Sequence, residues 1–105
     1  MQQTIRQRGG IRIGDGGFAL NLSWPFASIA ATETGVIVEA PSRVYFLNKP
    51  DITGLRKYNA VIATGLQIVH TKEGYPHHIV FWPLPFRFGK LKSQLQQLGY
   101  TFLDE

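Results

Sequence analysis

Between Leu66 and Gly99 the hydropathy pattern changes period once, and that change dictates what the remaining residues must supply. LQIVH and HHIVFW flank the turn-like KEGYP, so this part reads as a β-hairpin. In the following PLPFRFGKLKSQLQQLG, Phe88, Leu91, Leu95 and Leu98 recur at spacings of three and four, with Lys90, Lys92, Gln94 and Gln97 between them. That spacing predicts an amphipathic helix. Pro83 and Pro85 lack N–H donors and end the strand, while Gly99 suits the left-handed conformation that closes helices. Each of the four apolar side chains contributes about 1.5–3 kcal/mol when fully buried, so helix and hairpin stabilise each other.

Strand register decides which side chains share a face. A five-residue loop from Lys72 to Pro76 places His70 opposite His78 and Thr71 opposite His77. Leu66, Ile68, His70, His78, Val80 and Trp82 then form the expected core face, and Ile79 and Phe81 lie on the other.

The preceding residues read as strands separated by turns. Residues 1–17 hold Gly9, Gly10, Gly14, Gly16 and Gly17 and are expected to form a flexible glycine-rich arm or an edge hairpin. GGIRIGDGG lacks the following helix that a phosphate loop needs. Phe18, Leu20, Leu22, Trp24 and Phe26 alternate with small or polar residues, the period of a half-buried strand. Beyond Pro25 the apolar positions Ala27, Ile29 and Ala31 have the opposite parity, which predicts a bulge or kink that turns one long strand around a sheet corner. GVIVEA, RVYFL and DITGLRKY follow, and AVIA extends the last of these or begins the next strand. The expected fold is mainly β, with six or seven antiparallel strands and one C-terminal α-helix.

The residues WPFASIAATETGVIVEA, KPDITGLRKY, GLQIVHTKEGYPHHIVFWP and LKSQLQQLGY, together with this element order, resemble the small bacterial pleckstrin-homology-like (PH-like) domains. The likeness runs from Phe18 to Tyr100 and implies a PH-like domain over residues 18–105. The expected architecture is a barrel of two near-orthogonal antiparallel sheets capped by the helix. It also implies a binding or interaction module, not a catalyst, although fold alone does not fix function. Eukaryotic relatives that grip phosphoinositides use clustered Lys and Arg near the first hairpin loop. The corresponding stretch Ala27 to Ala40 has no basic residue and carries Glu33 and Glu39, which argues against that ligand here.

Composition narrows the function classes further. A chain of 105 residues, 44% hydrophobic, suffices for one domain with its own core. With no cysteine, disulfide and thiolate chemistry are excluded, and a cytoplasmic location is expected. MQQTIRQRGG has no signal-like apolar run, and Ile79 to Phe86 is too short and too proline-broken to span a bilayer. No serine lies in a GxSxG context and no acid pair stands out, so no enzyme activity, metal or cofactor is expected. His70 and His78 are near enough to share a metal in the register above, but a hydrogen-bonded His70 at the rim of the core is the preferred reading.

Three partner classes remain. The net charge of +4 permits polyanions without requiring them. Arg43, Tyr45, Arg56, Lys57 and Tyr58 interleave basic and aromatic residues as nucleic-acid surfaces do, but an ordinary solvated face is preferred. Arg87, Lys90 and Lys92 on the helix suit an acidic protein or anionic lipid. The leading expectation is a protein or peptide partner, or a second copy of the chain as a homo-oligomer, approaching an exposed strand edge. Candidate ligand-binding residues are Glu33 and Thr34 in one loop and Lys72, Tyr75, His77 and His78 in another.

Overall fold

The computed structural model describes residues 4–15, 18–60 and 63–103. Its strands are β1 (Ile5–Asp15), β2 (Phe18–Thr32), β3 (Gly35–Ala40), β4 (Arg43–Asn48), β5 (Ile52–Asn59), β6 (Thr64–His70) and β7 (His78–Trp82). A single 3-10 turn, Lys49–Asp51, joins β4 to β5, and the helix α1 (Phe88–Gln97) follows the strands. All seven strands join one curled antiparallel sheet, a half-barrel, in the order β4-β3-β2-β1-β7-β6-β5. The mainly β fold with one C-terminal helix is as expected. Val61 and Ile62, expected to extend β5 or begin β6, lie outside the described residues.

The curl originates where β1 and β2 change partners. Gly9 pairs with Ala27 but Ile11 pairs with Leu22, so β2 carries extra residues around Pro25 at this point. The parity inversion expected at Pro25 is therefore real: Leu22 packs against the core on one side of the bulge, and Ala27, Ile29 and Ala31 are buried on the other. A Cβ on Gly10 would collide with the Leu22 carbonyl oxygen and one on Gly9 with the Trp82 carbonyl oxygen, so only glycine admits this close approach. That corrects the reading of residues 1–17 as an arm or edge hairpin over Ile5–Asp15, while residues 1–3, 16 and 17 lie outside the described residues. β1 is the central strand, paired with β2 along its length and with β7 from Gly10 to Gly14, and it buries Ile5, Ile11 and Ile13.

The β6–β7 hairpin is also displaced from its expected register. Leu66 pairs with Phe81 and Ile68 with Ile79, one residue away from the arrangement that set His70 against His78. A slip of one residue exchanges faces. Leu66, Ile68, Ile79 and Phe81 all become fully buried, whereas Val80 and Trp82 turn to the opposite side, over Gly65. Val80 is itself buried there, 1% exposed, so β7 is covered on both sides at this point.

The helix behaves as its spacing dictates. Leu91, Leu95 and Leu98 are buried in the same cluster as the inner residues of the sheet, and Phe88 packs against that cluster. Gly99 takes φ 95°, the left-handed conformation expected of it. Beyond it the chain returns to the sheet: Leu55 N–H donates to the Thr101 carbonyl at 2.8 Å and Leu103 N–H to the Leu55 carbonyl at 2.8 Å. This places Phe102 in a parallel bridge beside Leu55 on β5. No described helix is long and apolar enough to cross a membrane.

Candidate functional site

The loop of residues 71–77 is held by backbone and ring contacts before any ligand is considered. Thr71 N–H donates to the Asp51 carbonyl at 2.9 Å, which ties the loop to the turn before β5. The His70 ring sets its other anchor. Lys72 N–H can only donate, so His70 Nδ1 accepts it at 3.1 Å, and Nε2 therefore carries the proton given to the Pro76 carbonyl at 2.8 Å. With both ring nitrogens engaged, His70 is the hydrogen-bonded rim residue preferred in the sequence reading. Among the described residues, no group of three or more His, Cys, Asp or Glu side chains is arranged to hold a metal ion.

From this base two side chains reach the outer border of β4. The Tyr75 hydroxyl accepts the Phe46 N–H at 3.1 Å, and Lys72 Nζ donates to the Phe46 carbonyl at 2.7 Å. In the β3–β4 hairpin Ala40 pairs with Arg43, and Val38 with Tyr45. In this alternation Phe46 directs its main-chain groups away from β3. Tyr75 and Lys72 thus do for Phe46 what a neighbouring strand would do. Lys72 Nζ also lies 4.5 Å from the centre of the Tyr75 ring, and Tyr45 meets that ring edge-on with centroids 5.1 Å apart.

These contacts wall a groove of about 850 Å³ whose lining includes Arg43, Tyr45, His70, Lys72, Tyr75 and His77. Arg43 Nη1 lies 3.4 Å from the Tyr45 hydroxyl. Glu73 is the one carboxylate among the lining residues, so basic groups prevail. The surface can accept a carboxylate or another anion through Arg43 and the remaining N–H groups of Lys72.

The six candidate residues do not converge on one place. Lys72, Tyr75 and His77 line the groove. His78 lies outside it, on the other face of the hairpin, where the Gln67 amide donates to its Nδ1 at 3.3 Å. Thr34 lines a separate depression of about 210 Å³ that includes Phe46 and Asn48, and its carbonyl accepts Lys49 N–H at 2.8 Å. Glu33 is exposed in the β2–β3 turn and lines neither surface. Sequence reasoning missed Arg43 and Tyr45 as groove residues, although Arg43 directly follows the Pro41-Ser42 turn.

The residues grouped as a nucleic-acid surface are also dispersed. β4 and β5 occupy opposite ends of the strand order, Tyr45 is buried, and the Tyr58 ring packs edge-on against Trp82 at 5.6 Å. Neither tyrosine is a free stacking platform. No family model matches the chain, and no curated protein matches it.

Proposed function

We propose that the chain is a non-catalytic PH-like interaction module whose groove between β4 and the 71–77 loop takes an acidic peptide segment of a protein partner. The observation that carries this reading is the double contact at Phe46, where Tyr75 and Lys72 wall a basic groove alongside a sheet edge. An extended peptide laid along the groove meets Arg43 and Lys72 with its carboxylates and the Tyr45–Tyr75 pair with its apolar groups. The PH-like assignment is supported by strands that precede a single helix, the bend at Gly9–Gly10 and the leucines of α1 packed onto the sheet. Both nitrogens of His70 are occupied, which fits a binding role better than general-base chemistry. A cytoplasmic setting fits a core that holds without disulfides.

Self-association is the second reading, favoured by the exposed side chains of Val44 and Phe46 on β4. Calorimetric titration with an extended peptide rich in Glu and Asp tests the first reading against a Gln/Asn control of equal length. Heat should appear for the acidic peptide and vanish in an Arg43→Gln/Lys72→Met variant. Equal heats for both peptides would reject the site, and a concentration-dependent dimer in light scattering would favour the second reading.

A further inference from the structure

Three shallow depressions outside the groove share two arginines. Arg6 lines one of about 210 Å³ with Ile37 and Phe46, and another of about 240 Å³ with Trp24 and Arg87. Arg8 lines the second of these and a third of about 340 Å³ with Phe26 and Ser28. Register explains the continuity. Arg6, Ala30, Ile37 and Phe46 form one row across β1 to β4, and Arg8, Ser28, Glu39 and Val44 form the next. Both rows alternate along their strands with Ile5, Ile29, Val38 and Leu47, which point into the core. They therefore occupy the side of the sheet turned away from that core.

This side is unusual in what it leaves in water. Trp24, Phe26 and Phe46 are 53%, 56% and 53% exposed. Among the described residues the guanidinium groups of Arg6, Arg8 and Arg87 have no hydrogen-bonded or ion-paired partner, and Glu39 is the only carboxylate lining the three depressions. Exposed rings gathered among guanidinium groups mark an interaction surface.

We infer that this face binds single-stranded nucleic acid. Splayed bases stack on the rings of Trp24, Phe26 and Phe46, and the intervening phosphates meet Arg6, Arg8 and Arg87. Arg6 and Phe46 stand three inter-strand steps apart, about 14 Å, so contacts at both ends call for an extended chain. A single strand fits better than a duplex because these rings need unstacked bases. It fits better than an anionic membrane because Trp24, Phe26 and Phe46 sit within depressions between the arginines. The surface adjoins the peptide groove at Phe46, whose main-chain groups face Tyr75 and Lys72 while its ring stands beside Arg6.

Fluorescence anisotropy with labelled oligo-dT and oligo-U of about 12 nucleotides tests the inference at low salt. Affinity should fall with salt along a logarithmic slope of about −2, as three phosphate contacts on a single strand require. Arg6→Gln, Arg8→Gln and Arg87→Gln combined should bring the slope close to zero. Trp24→Ala and Phe46→Ala should each weaken binding about tenfold while leaving the slope intact, and bound oligonucleotide should quench Trp24 fluorescence. All these side chains are exposed, and circular dichroism melts matching wild type establish that each variant folds. Absence of an anisotropy change at low salt overturns the inference. So does duplex binding of equal strength that ignores Trp24 and Phe46, or capture by phosphatidylserine vesicles in place of the oligonucleotides.

Discussion

Tyr100 donates its hydroxyl proton to the carbonyl oxygen of Thr32 at 2.7 Å, joining the segment after α1 to the end of β2 across 68 residues of sequence. Burial pushes this phenol up from 10.0 to about 12. Ionisation would place a charge in an apolar site and remove the only proton that the Thr32 carbonyl can accept from it.

The pH dependence follows from that direction. Below about pH 10 the phenol is neutral in both folded and unfolded chains, and its contribution to stability is complete. Between about 10 and 12 the unfolded chain releases the proton first, so stability falls by roughly 2–3 kcal/mol as pH rises. Urea unfolding across this window should show the loss in the wild type and a smaller one in Tyr100→Phe. Identical slopes for the two proteins would assign the alkaline transition to other groups.

Lys49 gives a second expectation. Its Nζ donates to the Leu98 carbonyl at 2.9 Å and lies 4.9 Å from the centre of the Tyr100 ring, so a cation sits at the C-terminal end of α1, where the helix dipole favours it. Lys49→Met keeps the apolar stem and removes both interactions. It should lower unfolding free energy by about 1–2 kcal/mol in denaturant titrations. An unchanged midpoint would mean that water replaces the ammonium without cost.

Gly10→Ala should be more damaging than a helix-surface glycine change. The added methyl meets the Leu22 carbonyl, which belongs to the main chain and cannot rotate aside, whereas nothing lies near a Cβ on Gly89. Overpacking of this kind costs about 1–3 kcal/mol. Thermal melts of the two alanine variants compare them directly, and a tolerant Gly10 would show that the bend at the bulge can relax.

Tyr75→Phe removes the acceptor of the Phe46 amide and little else. Hydrogen exchange at that amide should quicken severalfold relative to the Val38 and Leu47 amides of the same sheet, at a stability cost of about 1 kcal/mol. An unaltered rate would show that the 71–77 loop shields Phe46 by sterics alone.

Much of the architecture was written in local patterns. The helix followed from the spacing of Leu91, Leu95 and Leu98, and the corner in β2 from the parity change across Pro25. Two errors have physical causes. Gly9 and Gly10 look like flexible turn residues in sequence, yet they serve close approach to carbonyls of β2 and β7, contacts between strands that are distant in sequence. β7 is apolar on both faces, so alternation could not choose between Val80–Trp82 and Ile79–Phe81 as the inner pair, and the register slipped by one.

The candidate site was less legible for a related reason. Loop chemistry brought Lys72, Tyr75 and His77 together, but the acceptor that Lys72 meets and the donor that Tyr75 meets at Phe46 are main-chain groups 26 and 29 residues away and carry no signature. Glu33 and Thr34 were grouped with them because both segments are loops, whereas the β2–β3 turn opens onto a different depression. The alternating Arg6 and Arg8 were visible, but an expected arm gives no reason to align them with Phe46.

The return of the chain along β5 has a consequence for assembly. Thr101 and Leu103 occupy the main-chain groups of Leu55 at one border of the sheet, as Tyr75 and Lys72 occupy those of Phe46 at the other. Templated growth into fibrils needs a long stretch of vacant ladder, and each border is interrupted by the molecule's own tail or loop. The protein is thereby protected against runaway polymerisation while its broad outer surface stays available to other molecules.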